Sequence, residues 1–438
     1  MKCQHTTSPL ARLFYSLSLT EARNLSANGT LTQMVHSHKD KTNDASELGK
    51  RWQRMHAICS DNVENTMNYE TVRYELSEPF SPASPESVDM LPQSLRLAVE
   101  TARVWVDEGR IVGAVMLVIR RNRIVLHEAV GWSDRERQIP MKTDTIFMMR
   151  SMTKPLLGTA ILMLKEDGRL TLQDRVCEYL PAFDNERSRD ITIYQLLTHT
   201  SGITGSIVGN IGAARYASLR QAVDEVGRKG PEHPPGTRYE YSDPGSSTLG
   251  AVVAEISEMP VEDFISNRIL EPLRMGDSFL DFKLQPGDPR AERVAASYCR
   301  ENGESGPWTK TWDNTQPEEV PFFRGSGGLF ASGIDYAKFL SCMLDGGRFG
   351  DCRLLSEEAV ELATGPSAMS NEYGLHWQAF GDGVFGHGGH QGTLSWVDKE
   401  NDLIGLYLTQ SESTGNATRP EFKKLVESAI VKKRANAL

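Results

Sequence analysis

Ser151 and Lys154 stand three residues apart at the head of an apolar run, 156–164, interrupted only by Gly158 and Thr159. On a helix, residues three apart share a face, so this hydroxyl and this amine can meet. A hydroxyl beside a base is a plausible activated nucleophile. Alone the pair says little, because S-x-x-K arises by chance in a chain this long, and a capping serine next to a solvated lysine would look the same. Two later stretches add chemistry. Tyr241-Ser242-Asp243 sits among Gly and Pro residues that could present a phenol to a cleft. Phe385-Gly386-His387-Gly388-Gly389-His390-Gln391-Gly392-Thr393 enters a strand with bare backbone, which a substrate or an oxyanion needs for close approach.

The elements that must position these groups follow from periodicity. The Ser151 helix is expected to start near that serine, to tolerate Pro155 in its first turn and to stop at Gly168. Upstream, Leu95, Ala98, Val99, Ala102 and Val106 predict a helix ended by Gly109. The β-branched runs 112–119 and 124–130, joined by Arg121-Asn122-Arg123, predict a hairpin. Thr192 is placed to cap a short helix through Leu197, and a further helix is expected over about 247–257. Ser332-Gly333-Ile334-Asp335 resembles a capping box ahead of 336–344. Strands are expected at 394–397 and 403–409, then a helix with Phe422, Leu425, Val426, Ala429 and Ile430 on one face. This order predicts an α/β (α+β) fold: a mainly antiparallel sheet built from both ends of the domain, flanked by helices, with a helical subdomain. Residues 1–90, polar and then proline-marked, are expected to form a disordered extension and linker. The domain is expected over 91–438, its sheet part at about 91–150 and 325–438 and its helical part at about 151–324.

Composition narrows the function. The 438 residues carry a net charge of −10, which argues against nucleic-acid or anionic-membrane partners. No uninterrupted apolar run reaches roughly 18 residues, so no membrane-spanning helix is expected. The six cysteines are scattered without a C-x-x-C pair, a pattern of reduced thiols rather than of a disulfide or zinc framework. The apolar patch at 10–19 is broken by Arg12 and serines; as a secretory signal it is poor, and a cytoplasmic location is expected. On a strand His387 and His390 would face opposite ways, so they are not expected to share a metal. G-x-S-x-G, the P-loop, the dinucleotide fingerprint and H-E-x-x-H are all absent.

Taken in order, Ser151-Met152-Thr153-Lys154, Tyr241-Ser242-Asp243 and His387-Gly388-Gly389 resemble the serine β-lactamase-like superfamily. That group includes class C β-lactamases, penicillin-binding D,D-peptidases, D-aminopeptidases and related esterases. Its motifs are S-x-x-K, Y-x-N or a variant, and K-x-G or H-x-G on a strand. Leu196-Leu197-Thr198-His199-Thr200-Ser201-Gly202, Pro235-Gly236-Thr237 and Ser326-Gly327-Gly328-Leu329 look like the family too, and the resemblance covers about 91–431. It implies Ser151 as nucleophile, with Lys154 and Tyr241 moving its proton and protonating the leaving group. It also implies His387 as a member of the catalytic set, and the backbone N–H groups of Ser151 and His390 as an oxyanion hole, with Asp243 and Gly389 beside the substrate. No cofactor and no metal are implied.

Two departures matter. Asp243 replaces the usual asparagine; it either holds Lys154 charged, leaving Tyr241 as base, or only organises the turn. His387 replaces the lysine that pairs with a β-lactam carboxylate, and a neutral imidazole weakens anion recognition unless Arg324 or another cation substitutes. The expected activity is therefore acyl-enzyme hydrolysis of a small-molecule ester or amide, with carboxylesterase activity the first choice. A β-lactam, or an amide in a D-amino-acid compound, is the alternative substrate, and a non-catalytic binding relative is the rival of another class.

Overall fold

One strand, Gly113–Arg120, is buried at every position, and its alternate side chains feed two separate cores. Ala114, Met116 and Val118 join one apolar cluster; Val115, Leu117 and Ile119 join the other. Period-two alternation does this to any strand covered on both faces. The structure is a computed structural model that describes residues 80–205, 216–280, 284, 287–300, 306–315, 322–412 and 415–431.

The strands of the main sheet are β1 (Ser81–Pro82), β2 (Gly113–Arg120), β3 (Arg123–Asp134), β4 (Ile139–Pro140), β5 (Gln378–Gly381), β6 (Val384–Gly388), β7 (Leu394–Asp398) and β8 (Leu403–Thr409). Their order is β1-β3-β2-β8-β7-β6-β5, with β4 on β3. Every pairing is antiparallel except that of β1 with β3. The expected hairpin joins β2 to β3, with Arg121 and Asn122 both left-handed (φ 51° and 58°), as a two-residue turn between twisted strands requires. The central pair, β2 with β8, joins the two ends of the domain.

One face of the sheet is covered by the helices Pro92–Asp107 and Gly415–Ser428. Trp105, rather than Val106, completes the first helix's buried stripe, its ring edge-on to Tyr407. The expected extension over 1–79 lies outside the described residues. The expected linker does not hold for 80–90. Phe80, Val88 and Met90 are buried, and Met90 bridges to Ile430, because these apolar residues between prolines find the sheet.

The other face carries the helix Gly333–Leu344, and the helices Lys154–Glu166 and Asp243–Ser257 join the same apolar core. The capping box at Thr192 forms. At Ser332 only half of one does: its Oγ accepts from the Asp335 N–H, while the Asp335 carboxylate turns to the Asp277 N–H and the Ser278 hydroxyl. The 243–257 helix starts four residues earlier than expected, since Ser242 caps it and Pro244 suits a first turn. Within the part expected to be helical, Ser297–Cys299 and Thr309–Trp312 pair as strands too short to show a period. Cys177, Cys342 and Cys352 are free thiols. Among the described residues no helix is long and apolar enough to cross a membrane.

Gly158 sits mid-helix, where an alanine would ordinarily be favoured by about 1 kcal/mol. A Cβ there would lie 2.9 Å from the Leu375 carbonyl oxygen and 3.0 Å from the His376 Cβ. Gly158→Ala is therefore expected to destabilise the fold by roughly 1–3 kcal/mol in urea unfolding. A more stable variant would contradict this close approach.

Candidate active site

The segment before Ser151 is tied to the sheet side of the domain. Ile146–Met148 pairs with Leu329–Ser332, and the Met149 N–H donates to the Leu329 carbonyl at 2.8 Å. Arg150 is left-handed (φ 50°), so the chain turns sharply into Ser151. The expected helix begins as a 3-10 turn, Arg150–Thr153, and becomes α-helical at Lys154. Tyr336 donates to the Met152 carbonyl at 2.8 Å, and the Leu329 N–H donates to the Thr153 hydroxyl at 3.0 Å. The turn that carries the serine is thus pinned on both sides.

Lys154 has no exposed surface. Its Nζ lies 3.3 Å from Ser151 Oγ, 2.7 Å from Asp243 Oδ1 and 3.2 Å from the Ser326 carbonyl oxygen. It also stands 4.6 Å from the centroid of the Tyr241 ring. A carboxylate and a carbonyl can only accept, so two of the three Nζ directions are donor positions. Asp243 opens its helix, where the exposed N–H dipoles favour a carboxylate. Ser151, Lys154, Tyr241 and Asp243 therefore meet in space. The phenol and the carboxylate both keep partial solvent access.

His387, expected among the catalytic groups, is turned into the protein and is 1% exposed. Its Nδ1 contacts the Gly388 carbonyl at 2.7 Å, and its Nε2 contacts the Tyr373 hydroxyl at 2.9 Å. That hydroxyl also meets His199 Nε2 at 3.2 Å, while His199 Nδ1 accepts from the Ser242 N–H at 3.2 Å. The His199 ring packs on Tyr241 with centroids 4.4 Å apart and stacks on His376 at 5.0 Å. Burial, reinforced by the Lys154 charge, holds His199 well below the usual imidazole range and takes His376 and His387 down to about 3. These imidazoles are neutral. Arg150, His199 and His376 all sit left-handed (φ 50°, 56° and 63°), a conformation that costs of order 1–3 kcal/mol per residue and gathers at functional sites.

His390 lies past the end of β6 and is well exposed. Its expected role involves its backbone. Gly389 can bear no side chain, because a Cβ would come within 2.6 Å of the Met149 carbonyl oxygen. The motif's backbone thus lies directly against the approach to Ser151. Arg419 Nη1 donates to the carbonyls of Gly389 (3.3 Å) and Thr393 (3.1 Å). Since the Gly389–His390 peptide is trans, holding its carbonyl directs the His390 N–H the opposite way.

His199, Tyr373, His376 and Arg419 were not among the expected site residues. His199 stood inside a family-like stretch with no role attached. Tyr373-Gly374-Leu375-His376-Trp377 has no periodicity that would single it out. Among the described residues no group of three or more His, Cys, Asp or Glu is arranged to hold a metal ion.

The Beta-lactamase family model matches residues 98–427. The Bacillus subtilis protein PbpX, named for the penicillin-binding proteins, is 32% identical over 272 residues, 62% of this chain and 63% of that protein. The chain thus spans just under two thirds of that relative's length. The solved structure of EstCE1, a hydrolase with promiscuous acyltransferase activity, superposes with a TM-score of 0.63 at 22% identity, covering 77% of this chain and 98% of that one. The D-amino acid amidase of Ochrobactrum anthropi superposes at 0.61 and 22%, with the same coverage. At these identities the two superpositions show the fold, a mixed α/β serine β-lactamase-like architecture.

The neutral histidines carry a pH signature. A histidine held near 3 when folded and near 6.5 when unfolded contributes stability that is complete above about pH 6.5 and is lost as pH falls towards 3. His376→Gln, which cannot titrate, is expected to lose less unfolding free energy between pH 7 and pH 4 than the parent does. Equal losses in urea titrations would contradict a neutral buried His376.

Proposed function

We propose that this chain, which belongs to the beta-lactamase family of serine hydrolases, hydrolyses small-molecule esters through an acyl-enzyme on Ser151. The observation that carries this reading is the buried Lys154 Nζ, held between Ser151 Oγ and Asp243 against the face of Tyr241. Ser151 Oγ attacks the ester carbonyl and gives up its proton. Lys154, ion-paired to Asp243 and donating to Ser326, is already committed as a donor, so in this reading the proton goes to Tyr241, which enters the step as the phenolate. The lysine's charge beside the ring stabilises the phenol oxygen while it is negative. The backbone N–H groups of Ser151 and His390 hold the tetrahedral oxyanion. Collapse breaks the ester C–O bond, and Tyr241 returns the proton to the departing alcohol. Water then attacks the acyl-enzyme by the same route, and Ser151 recovers its proton.

The preference for esters rests on charge. A β-lactam presents a carboxylate, and at the third motif this chain offers a neutral imidazole with both nitrogens engaged. A short uncharged ester asks for no cation there. The solved relatives named as a hydrolase with acyltransferase activity and as a D-amino acid amidase are in keeping with ester or amide chemistry.

Mass spectrometry after incubation with a fluorophosphonate and with a penicillin tests this. The expected result is an adduct on Ser151 with the first, turnover of p-nitrophenyl esters, and little acylation by the second. Rapid penicillin acylation without ester turnover would move the assignment to β-lactams. No adduct with either reagent and no turnover would leave a binding relative of the fold. Ser151→Ala is expected to abolish both labelling and turnover. Asp243→Asn is expected to cut kcat about tenfold or more and to reshape the pH–rate profile; an unchanged profile would mean that Asp243 only organises its turn.

A further inference from the structure

Five groups line up across the site from the second motif to the third. The Ser242 N–H meets His199 Nδ1 at 3.2 Å, His199 Nε2 meets Tyr373 Oη at 3.2 Å, Tyr373 Oη meets His387 Nε2 at 2.9 Å, and His387 Nδ1 meets the Gly388 carbonyl at 2.7 Å. The two ends decide every proton between them. A backbone N–H can only donate, so His199 Nδ1 carries no hydrogen, and the neutral ring carries its single hydrogen on Nε2. That hydrogen goes to the Tyr373 oxygen, so the phenol's own hydrogen goes to His387 Nε2. His387 is left with its hydrogen on Nδ1, which is what the Gly388 carbonyl, an acceptor only, requires. One tautomer of each histidine fits, and the bonds all run in the same direction.

The ends of this line are catalytic ground. Ser242 links Tyr241 to Asp243, and Gly388 precedes the Gly389–His390 peptide. The middle touches no substrate: Tyr373 is 1% exposed, and His199 and His387 are equally buried. We propose that Tyr373 is a positioning residue whose hydroxyl, bridging two neutral histidines, fixes the phenol loop and the third-motif turn relative to each other. The charged and titratable groups around it are Lys154, Asp243, Tyr239, Tyr241 and His376. Only the kinetic consequence rests on the ester-hydrolase reading; the proton order does not.

The test uses the full chain with 15N-labelled histidine and the variant Tyr373→Phe, which removes one oxygen and keeps the ring. In the parent, NMR at pH 7 is expected to show His199 protonated solely at Nε2 and His387 solely at Nδ1. In Tyr373→Phe, His387 is expected to lose that single tautomer. kcat on a neutral ester is expected to fall about 10–100-fold, with KM within about twofold and an unchanged circular dichroism spectrum. Another tautomer pattern in the parent would overturn the proton order. Unchanged kcat in Tyr373→Phe would overturn the positioning role. If the parent turns over no ester, the rate of fluorophosphonate capture by Ser151 replaces kcat: a slowed variant supports the proposal and an equal rate overturns it. If Ser151 of the parent is not captured either, the tautomers of Tyr373→Phe decide: loss of the His387 tautomer supports the role, and its retention overturns it.

Discussion

A lysine side chain with no exposed surface is the constraint to which the rest of the site answers. An unpaired charge at such depth costs several kcal/mol, so it persists only where donors and acceptors have been placed for it. Here the acceptors come from far apart in the chain: Asp243 from the start of one helix, Ser326 from the loop before a strand, Ser151 from the preceding turn. The ring of Tyr241 closes the remaining side. The same charge acts outwards, disfavouring a second positive group nearby, and it is one reason each of the three surrounding imidazoles stays neutral. Their neutrality in turn allows a single ordered set of hydrogen bonds. The electrostatics of the site is thus one problem, solved once.

The sheet and the helical part contribute opposite walls, and backbone rather than side chain decides how near they come. Gly158 lets the helix that follows Ser151 reach the Leu375–His376 segment, and Gly389 lets the third motif lie against Met149. Side chains at either place would separate groups that must act within hydrogen-bond distance. Three non-glycine residues held left-handed at this junction show that local conformational cost is accepted there in exchange for placement.

Much of this was legible in advance. The β-branched runs 112–119 and 124–130 and the runs 394–397 and 403–409 exposed the sheet, and helical spacing exposed the two helices on its outer face. The order of Ser151, Tyr241 and His387 pointed to acyl transfer. What could not be read has a common cause. His199 and Tyr373 are joined across 174 positions by one hydrogen bond, and neither lies in a periodic run. The direction in which His387 faces depends on its register opposite Ser395, which a single sequence does not print. The burial of 80–90 is likewise tertiary: short apolar residues among prolines look like a linker until a sheet edge is there to receive them.

The pairing of Leu117 with Leu406 at the centre of the sheet reaches across most of the domain. A strand pair so distant in sequence closes late, because the chain between must be ordered before the contact rewards it. During synthesis the hairpin of β2 and β3 and the serine's helix emerge long before β6 or β8. Ser151 therefore exists in the growing chain without the wall that completes its surroundings. The surroundings of Ser151 are complete only when the last strand slots in, and a truncated or stalled product would carry the serine without them.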